Sequence, residues 1–375
     1  MINFREHGFF KISVLFSLLF FSFCSQSFGE GEKTLSWDKA VRDARGQTVD
    51  WYMWGGSPAV NRYVNGFLAG KLKEKYDITL RQVPVKDIAE VVSKLVVEKQ
   101  AGKESDGNVD LMWINGENFR TCKSKELLYG PFAEKLPNIK YVDRTAPAVM
   151  NDFGTPVEDM ESPWGSAQFV MIYDTARISR PPKSVPALIS WVRNHPGRFT
   201  YPAPPDFTGS VFVRHFFYHA AENVEKWQKN YTDDEFQQAA DATYAQLLEL
   251  KPFLWQKGAT YPESPVRMNT LFADGVIDFS FSYHQGEASR NILDGLFPDT
   301  VRTYVFDGGT IGNTHFVAIP FNAGDKAAAM VTANYLLSPE AQLAKADPET
   351  WGDFPVIKPE LLPKKWQQQF LEQSR

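Results

Sequence analysis

Two hydrophobic periods alternate along the chain. Residues 49–54 read as a strand, closed by Gly55-Gly56. Ser57 then caps a helix with Pro58 at its first position. Apolar residues recur at Val60, Tyr63, Val64, Phe67, Leu68 and Leu72, one face of a 3.6-residue period. Residues 78–83 alternate as a second strand. Asp87 with Glu90 forms a capping-box pattern, and Ile88, Val91, Val92, Leu95 and Val96 make the next helical stripe. A third strand, residues 109–114 (VDLMWI), stops at Asn115-Gly116. Strand, helix, strand, helix, strand at this spacing predicts right-handed crossovers and a largely parallel sheet.

The middle of the chain repeats the style without repeating the sequence. Residues 167–174 (AQFVMIYD) follow the Pro163-Trp164-Gly165 break as a strand. Residues 185–194 read as a helix and 198–201 as a short strand. The segment 201–210, YPAPPDFTGS, holds three prolines and reads as a defined loop. Residues 211–221 form a helix apolar nearly all round, hence buried. Thr232 with Glu235 starts another helix, which ends before Pro252, and Ser264-Pro265 starts a third. Strands follow at 276–282 (VIDFSFS) and, after Gly308-Gly309, at 313–320 (NTHFVAIP). Residues 325–337 read as a helix, Ser338-Pro339 starts another, and the tail 364–375 is helical and polar.

Composition places this pattern in a class. At 375 residues the chain holds two domains of ordinary size, and 43% hydrophobic with 23% charged residues is a globular balance. A net charge of −5 gives no basic footprint for nucleic acid. Two cysteines, Cys24 and Cys122, build neither a disulfide scaffold nor a four-thiolate metal site. Arg5 and Lys11 precede 13 uncharged residues, 12–24, which are too few to span a bilayer; Ser25, Ser27 and Gly29 follow. Residues 1–29 are thus expected to be a signal peptide. Its removal takes away two basic residues and one acidic residue, leaving a net charge of −6 and Cys122 as the lone thiol. The expected product is periplasmic. Neither G-x-G-x-x-G nor a P-loop occurs, so no nucleotide cofactor is expected.

The stretches WYMWGGSPAVNRYVNGF (51–67), DLMWINGENF (110–119), SPWGSAQFVMIYD (162–174), RFTYPAPPDFTGSVFVR (198–214), GTIGNTHFVAIP (309–320) and LLSPEAQ (336–342) resemble one family. It is that of the extracellular solute-binding proteins of bacterial ABC importers, in the branch related to thiamine-, iron- and polyamine-binding members. The resemblance covers nearly all of the chain after the leader. It implies an α/β, two-lobed periplasmic-binding-protein fold of type II, with two mixed sheets flanked by helices and a hinge of two crossing strands. Residues 30–164 with 309–337 would then form the first lobe and 165–308 the second, with hinge positions near 163–165 and 308–312. The lobe that carries 338–375 stays open. The implied function is non-enzymatic capture of a small solute, thiamine-like or otherwise charged and aromatic, for delivery to ABC permease subunits by a monomer. A polyamine- or metal-binding receptor of the same fold is the alternative.

Ligands of open parallel sheets bind beyond the carboxyl ends of the strands, which singles out five segments. Trp54-Gly55-Gly56-Ser57 combines a stacking face, close backbone and a helix start; it also reads as a tight turn with a core Trp. Asn115 and Glu117 could hold an amine or hydroxyl, or serve ordinary turn chemistry. Asp206, Thr208, Gly209 and Ser210 open a buried helix as an anion cradle, for which the family uses an equivalent place; Thr208 also serves as a plain N-cap. Tyr283 is the candidate second aromatic wall opposite Trp54, suited to a flat or cationic ligand. Asn313 lies at the return crossing, and Trp164 at the first. No metal site is expected. His215 and His219 have i, i+4 spacing but lie in an apolar stretch without H-E-x-x-H, and Tyr283 lacks the adjacent tyrosine by which the family holds Fe³⁺. A periplasmic hydrolase using Ser210, His284 and Asp206 is a second alternative, without a G-x-S-x-G elbow to support it.

Overall fold

A computed structural model of the chain describes residues 37–221, 227 and 231–373. The expected leader, residues 1–29, lies outside the described residues. Among the described residues, ten strands form two main sheets and a hairpin. The strands β1 (Thr48–Trp54), β2 (Thr79–Val85), β3 (Leu111–Ile114), β6 (Ser162–Gln168) and β10 (Gly312–Ala318) make a five-stranded sheet in the order β2-β1-β3-β10-β6. The hairpin is β4 (Asn151–Asp152) with β5 (Thr155–Pro156), and the strands β7 (Val170–Asp174), β8 (Phe279–Ser282) and β9 (Val301–Tyr304) form a second sheet in the order β8-β7-β9.

The expected parallel pairing holds for β1 with β2 and β3, whose connections run through helices. It fails for β10, which is antiparallel to both β3 and β6, because β10 returns from the second sheet and enters the first from the opposite end. In the second sheet β7 is antiparallel to both neighbours. The first sheet is therefore mixed and the second antiparallel.

Local chemistry sets most helix starts where the sequence puts them. Ser57, Ser184, Ser264 and Ser338 each accept a backbone N–H as N-caps before a proline-containing first turn. Thr232 and Glu235 complete a capping box. Three expectations need correction. Residues 198–201 are not a strand, although the Arg198 and Phe199 carbonyls accept N–H groups of Asp278 and Trp255. Asp87 accepts from Ala89 N–H and makes no capping box with Glu90. Asp206, not Thr208, caps the helix Phe207–Ala220, its carboxylate accepting the Gly209 N–H at 2.7 Å.

The apolar interior falls into two bodies. One gathers β1, β10, the run Pro58–Tyr76 and the C-terminal residues Trp351, Ile357, Leu362 and Phe370, with a further cluster on the sheet's other face around Leu95, Met112, Ile114 and Cys122. The other gathers Phe169, Phe199, Phe212, Phe216, Phe279 and Phe281. The C-terminal segment, whose placement the sequence leaves open, thus packs on the first body.

Only Phe169 separates β6 from β7, so one nearly continuous run passes from the first sheet into the second. Residues 163–165, where the resemblance sets a hinge, lie inside β6. The return passage runs beside the first: Phe169 N–H donates to the Ile311 carbonyl at 2.8 Å, and Thr310 Oγ1 donates to the Phe169 carbonyl at 2.6 Å. His215 pins the same point. Its Nδ1–H donates to Val211 O at 2.8 Å and its Nε2 accepts the Ile311 N–H at 3.0 Å. Both nitrogens are engaged, so the His215–His219 spacing belongs to this brace. Burial pushes the imidazole pKa down to about 4. A His with a lowered folded pKa contributes stability that is present above its unfolded pKa near 6.5 and falls as pH drops toward 4. The unfolding free energy of the wild type minus that of His215→Gln is expected to shrink by about 3 kcal/mol between pH 7 and pH 4 in denaturant titrations.

A buried ion pair locks the C-terminal segment onto β6. Lys345 Nζ donates to Asp353 Oδ2 (2.6 Å), Trp164 O (2.8 Å) and Phe354 O (3.1 Å), which satisfies all three of its N–H groups. Gly165 lies directly beneath; a Cβ there would come within 2.5 Å of both Lys345 Nζ and Asp353 Oδ2. Lys345→Met is expected to lower stability by about 3–5 kcal/mol, read from the urea midpoint, because Asp353 would be left as an unpaired buried charge.

Candidate functional site

Parallel pairing of β1 with β3 sets their carboxyl ends side by side, so Trp54 and Asn115 face the same edge of the first sheet. Trp54 is 49% exposed, and its indole lies over Gly56, where a Cβ would sit 2.3 Å from the ring. Gly55 carries a carbonyl that accepts from Asn61 Nδ2 at 2.9 Å. Ser57 is committed to its cap. At the end of β3, Gly116 takes φ +61°, a conformation reserved for glycine, and opens the helix Glu117–Ser124 with Glu117 exposed at its first position.

Asp152 organises this end. It is buried, and its carboxylate accepts Gly116 N–H at 2.6 Å and Asn115 Nδ2 at 3.3 Å. Asn115 Nδ2 also donates to Thr314 O on β10 at 2.8 Å. Both amide hydrogens of Asn115 are therefore used, which leaves its Oδ1 as the group it can offer a solute. Burial raises the Asp152 pKa to about 6, against the lowering effect of those two hydrogen bonds. Glu161, fully buried nearby, has neither oxygen hydrogen-bonded; burial, then the neighbouring Asp152, raises its pKa well above the usual carboxylate range.

From the second body, Tyr283 meets the crossing strand. Its hydroxyl donates to Asn313 Oδ1 at 2.8 Å, and Asn313 Nδ2 donates to Thr314 O at 2.9 Å. Phe207, 55% exposed, packs edge-on against Tyr283 with ring centroids 5.1 Å apart. Burial pushes the Tyr283 phenol up, so it stays a neutral donor. Asn115, Asp152, Asn313 and Tyr283 thus form one connected polar seam across both bodies.

Other sequence candidates sit elsewhere. Trp164 is fully buried, with Trp51, Trp113 and Trp351 around it at ring-centroid distances of 5.0–5.3 Å; it is a core residue, and no cleft surface of it remains. Asp206 already occupies the Gly209 N–H, Ser210 N–H bonds to the Asp206 carbonyl, and Thr208 is buried. The anion cradle expected there is filled by the protein's own carboxylate. Gly209 serves close packing instead, since a Cβ would fall 1.8 Å from Pro202 O.

Sequence reasoning missed Asp152 and Phe153. The hairpin β4–β5 turns through Phe153 (φ +43°) and Gly154 (φ +87°), both left-handed. Such a two-residue turn favours Asn or Gly at its first place, yet here it holds a 53%-exposed phenylalanine beside Gly116. The signal available was Asn151-Asp152-Phe153-Gly154, a turn sequence with an unexpected aromatic at its tip.

Comparison with known proteins gives this arrangement its class. The sequence profile of the bacterial extracellular solute-binding proteins matches residues 68–370. The chain belongs to that family. Protein YnjB of Escherichia coli is 41% identical over 327 residues, covering 87% of this chain and 84% of that protein. Among solved structures, the fold is shared with a spermidine/putrescine ABC transporter substrate-binding protein of Streptococcus pneumoniae (TM-score 0.60, 16% identity, 86% and 87% of the two chains). It is shared also with apo ferric ion-binding protein A of Pasteurella haemolytica (TM-score 0.57, 14% identity, 85% and 89%). The two-lobed fold and the family are therefore those of a bacterial extracellular solute-binding protein, and not of an enzyme. The hydrolase alternative falls away.

In this solute-binding protein the Asp206 carboxylate acts as an N-cap. Asp206→Ala is expected to cost about 1 kcal/mol in thermal unfolding and Asp206→Ser much less, since a serine hydroxyl can accept the same N–H.

Proposed function

We propose that the chain captures a small organic cation between its two lobes and hands it to an ABC permease. The observation that carries this reading is the bonding state of the seam. Asn115 has spent its donors and keeps an acceptor; the Tyr283 oxygen likewise keeps a lone pair after giving its proton to Asn313. Acceptors without matching donors call for a ligand that donates, as an ammonium or an amino group does. Trp54, Phe153 and Phe207 offer exposed aromatic faces, which attract cations and flat rings alike. The only anion cradle suggested by the sequence is taken by Asp206.

A thiamine-like solute, cationic with a flat amino-bearing ring, fits both features; a polyamine uses the acceptors but needs less of the aromatic surface. Metal capture is the alternative; against it, Tyr283 is followed by His284 and not by the adjacent tyrosine through which iron-binding members hold Fe³⁺. We take residues 30–164 with 309–337, and 165–308, as the two bodies that close on the solute, moving about the passages at Phe169 and Ile311. Release into the periplasm after cleavage of residues 1–29, and action as a monomer, complete the reading. Solute that contacts both lobes only when they are closed shifts the open–closed balance by its differential affinity.

Thermal unfolding with thiamine, thiamine phosphate, spermidine, putrescine, Fe³⁺ and inorganic phosphate, each at millimolar concentration, tests this. An organic cation at about 100 times its Kd should add about 2.7 kcal/mol of stability, and Trp54→Ala should weaken it roughly tenfold. Stabilisation by phosphate or Fe³⁺ alone would overturn the reading.

A further inference from the structure

The two lobes meet at a second place, apart from the polar seam. There the loop after β8 and the helix Glu287–Leu293 lie against residues 347–354 of the C-terminal segment. The approach is close enough that a Cβ on Gly286 would fall 2.4 Å from the Gly352 carbonyl. Arg290 Nη1 lies 3.3 Å from the Glu349 carbonyl and 3.5 Å from that of Pro348. The His284 ring stacks parallel to Trp351 at 6.3 Å, and Trp351 is itself part of the first lobe's core.

Two polar atoms at this contact are buried without a hydrogen-bond partner, and they face each other. His284 Nε2 stands 3.7 Å from Asp353 Oδ1, just beyond bonding distance. His315 Nε2, on the crossing strand, is 3.5 Å from the same oxygen. The other oxygen, Oδ2, is held by Lys345. Asp353 is thus held by the first lobe, and His284 faces it from the second. Burial would raise the Asp353 pKa, yet Lys345, His315 and His284 hold it down to about 2, so the acceptor is ionised. Burial, against the pull of Asp353 and Glu287, keeps His284 below its ordinary pKa.

A buried donor and a buried anionic acceptor left unjoined each cost free energy, and less than about 1 Å of further approach would join them. We propose that His284 and Asp353 are a closure latch: full closure of the lobes makes the Nε2–H···Oδ1 hydrogen bond, and this bond, which touches no solute, holds the closed form. The inference rests on the reading of the chain as a two-lobed clamp, but it does not depend on which solute is captured. The latch gives the buried Lys345–Asp353 pair a second task, to present a fixed carboxylate to the opposite lobe.

The test uses spin labels on Val97→Cys and Leu248→Cys, which are exposed positions on the two lobes; Cys122 is buried, with its thiol pKa pushed up to about 12, and should stay unlabelled. Pulsed electron resonance on the mature chain gives the lobe-to-lobe distance distribution without solute and with 5 mM spermidine or thiamine. His284→Phe keeps the stacking on Trp351 and removes the donor; it is expected to raise the open-to-closed ratio about tenfold in every arm. His284→Gln restores an N–H and should recover most of the closed population. Unchanged distances in a folded His284→Phe protein, or a His284→Gln variant as open as His284→Phe, would overturn the latch. Failure of both solutes to move the wild-type distances would count against the cation reading while leaving the solute-free comparison intact.

Discussion

The hydrogen bond from Phe169 N–H to the Ile311 carbonyl is the constraint on which the rest of the molecule depends. It joins the two passages between the sheets side by side, at the junction proposed here as the pivot of the lobes. From that pivot β10 runs into the first sheet carrying Asn313 and Thr314, and β7 runs into the second between β8 and β9. The helix Phe207–Ala220 reaches the same point through His215. A polar backbone junction inside an apolar boundary is stable only when its N–H and C=O groups are paired, and here Phe169, Thr310, Ile311 and His215 pair one another.

The proposed function follows from where that junction puts acceptors. The seam of Asn115, Asp152, Asn313 and Tyr283 is built so that donors face protein and acceptors are left over. The aromatic side chains at its margin are held open by backbone devices: Gly56 under Trp54, and the left-handed turn under Phe153. Neither arrangement helps folding by itself. A large aromatic left half-exposed and a phenylalanine at positive φ both work against stability. Their presence is intelligible if a solute supplies the missing contacts.

Much of this was legible in the sequence. Serine–proline starts, the capping box at Thr232 and the alternating strands came from local chemistry and were placed correctly. The first parallel strands were equally visible, because short βαβ connections leave little choice of direction. The antiparallel entry of β10 was not, since it depends on a return from a sheet far away in the chain. Trp164 shows a related limit: a tryptophan beside a glycine at a crossing looks like a wall of the cleft, and only the positions of Trp51, Trp113 and Trp351 make it core. Asp206 and Thr208 illustrate competition between neighbours for one N–H, which sequence cannot rank. Asp152 could be read only as part of a turn, because its role is to hold Asn115, a residue distant in sequence.

On the proposed reading the cleft selects a donor-bearing organic cation. Native mass spectrometry of the secreted protein, purified without denaturation from its own cells, examines that claim most directly. A one-to-one adduct whose released mass is that of a small organic cation is expected. Release of an inorganic or organic anion, or of iron, would contradict that reading.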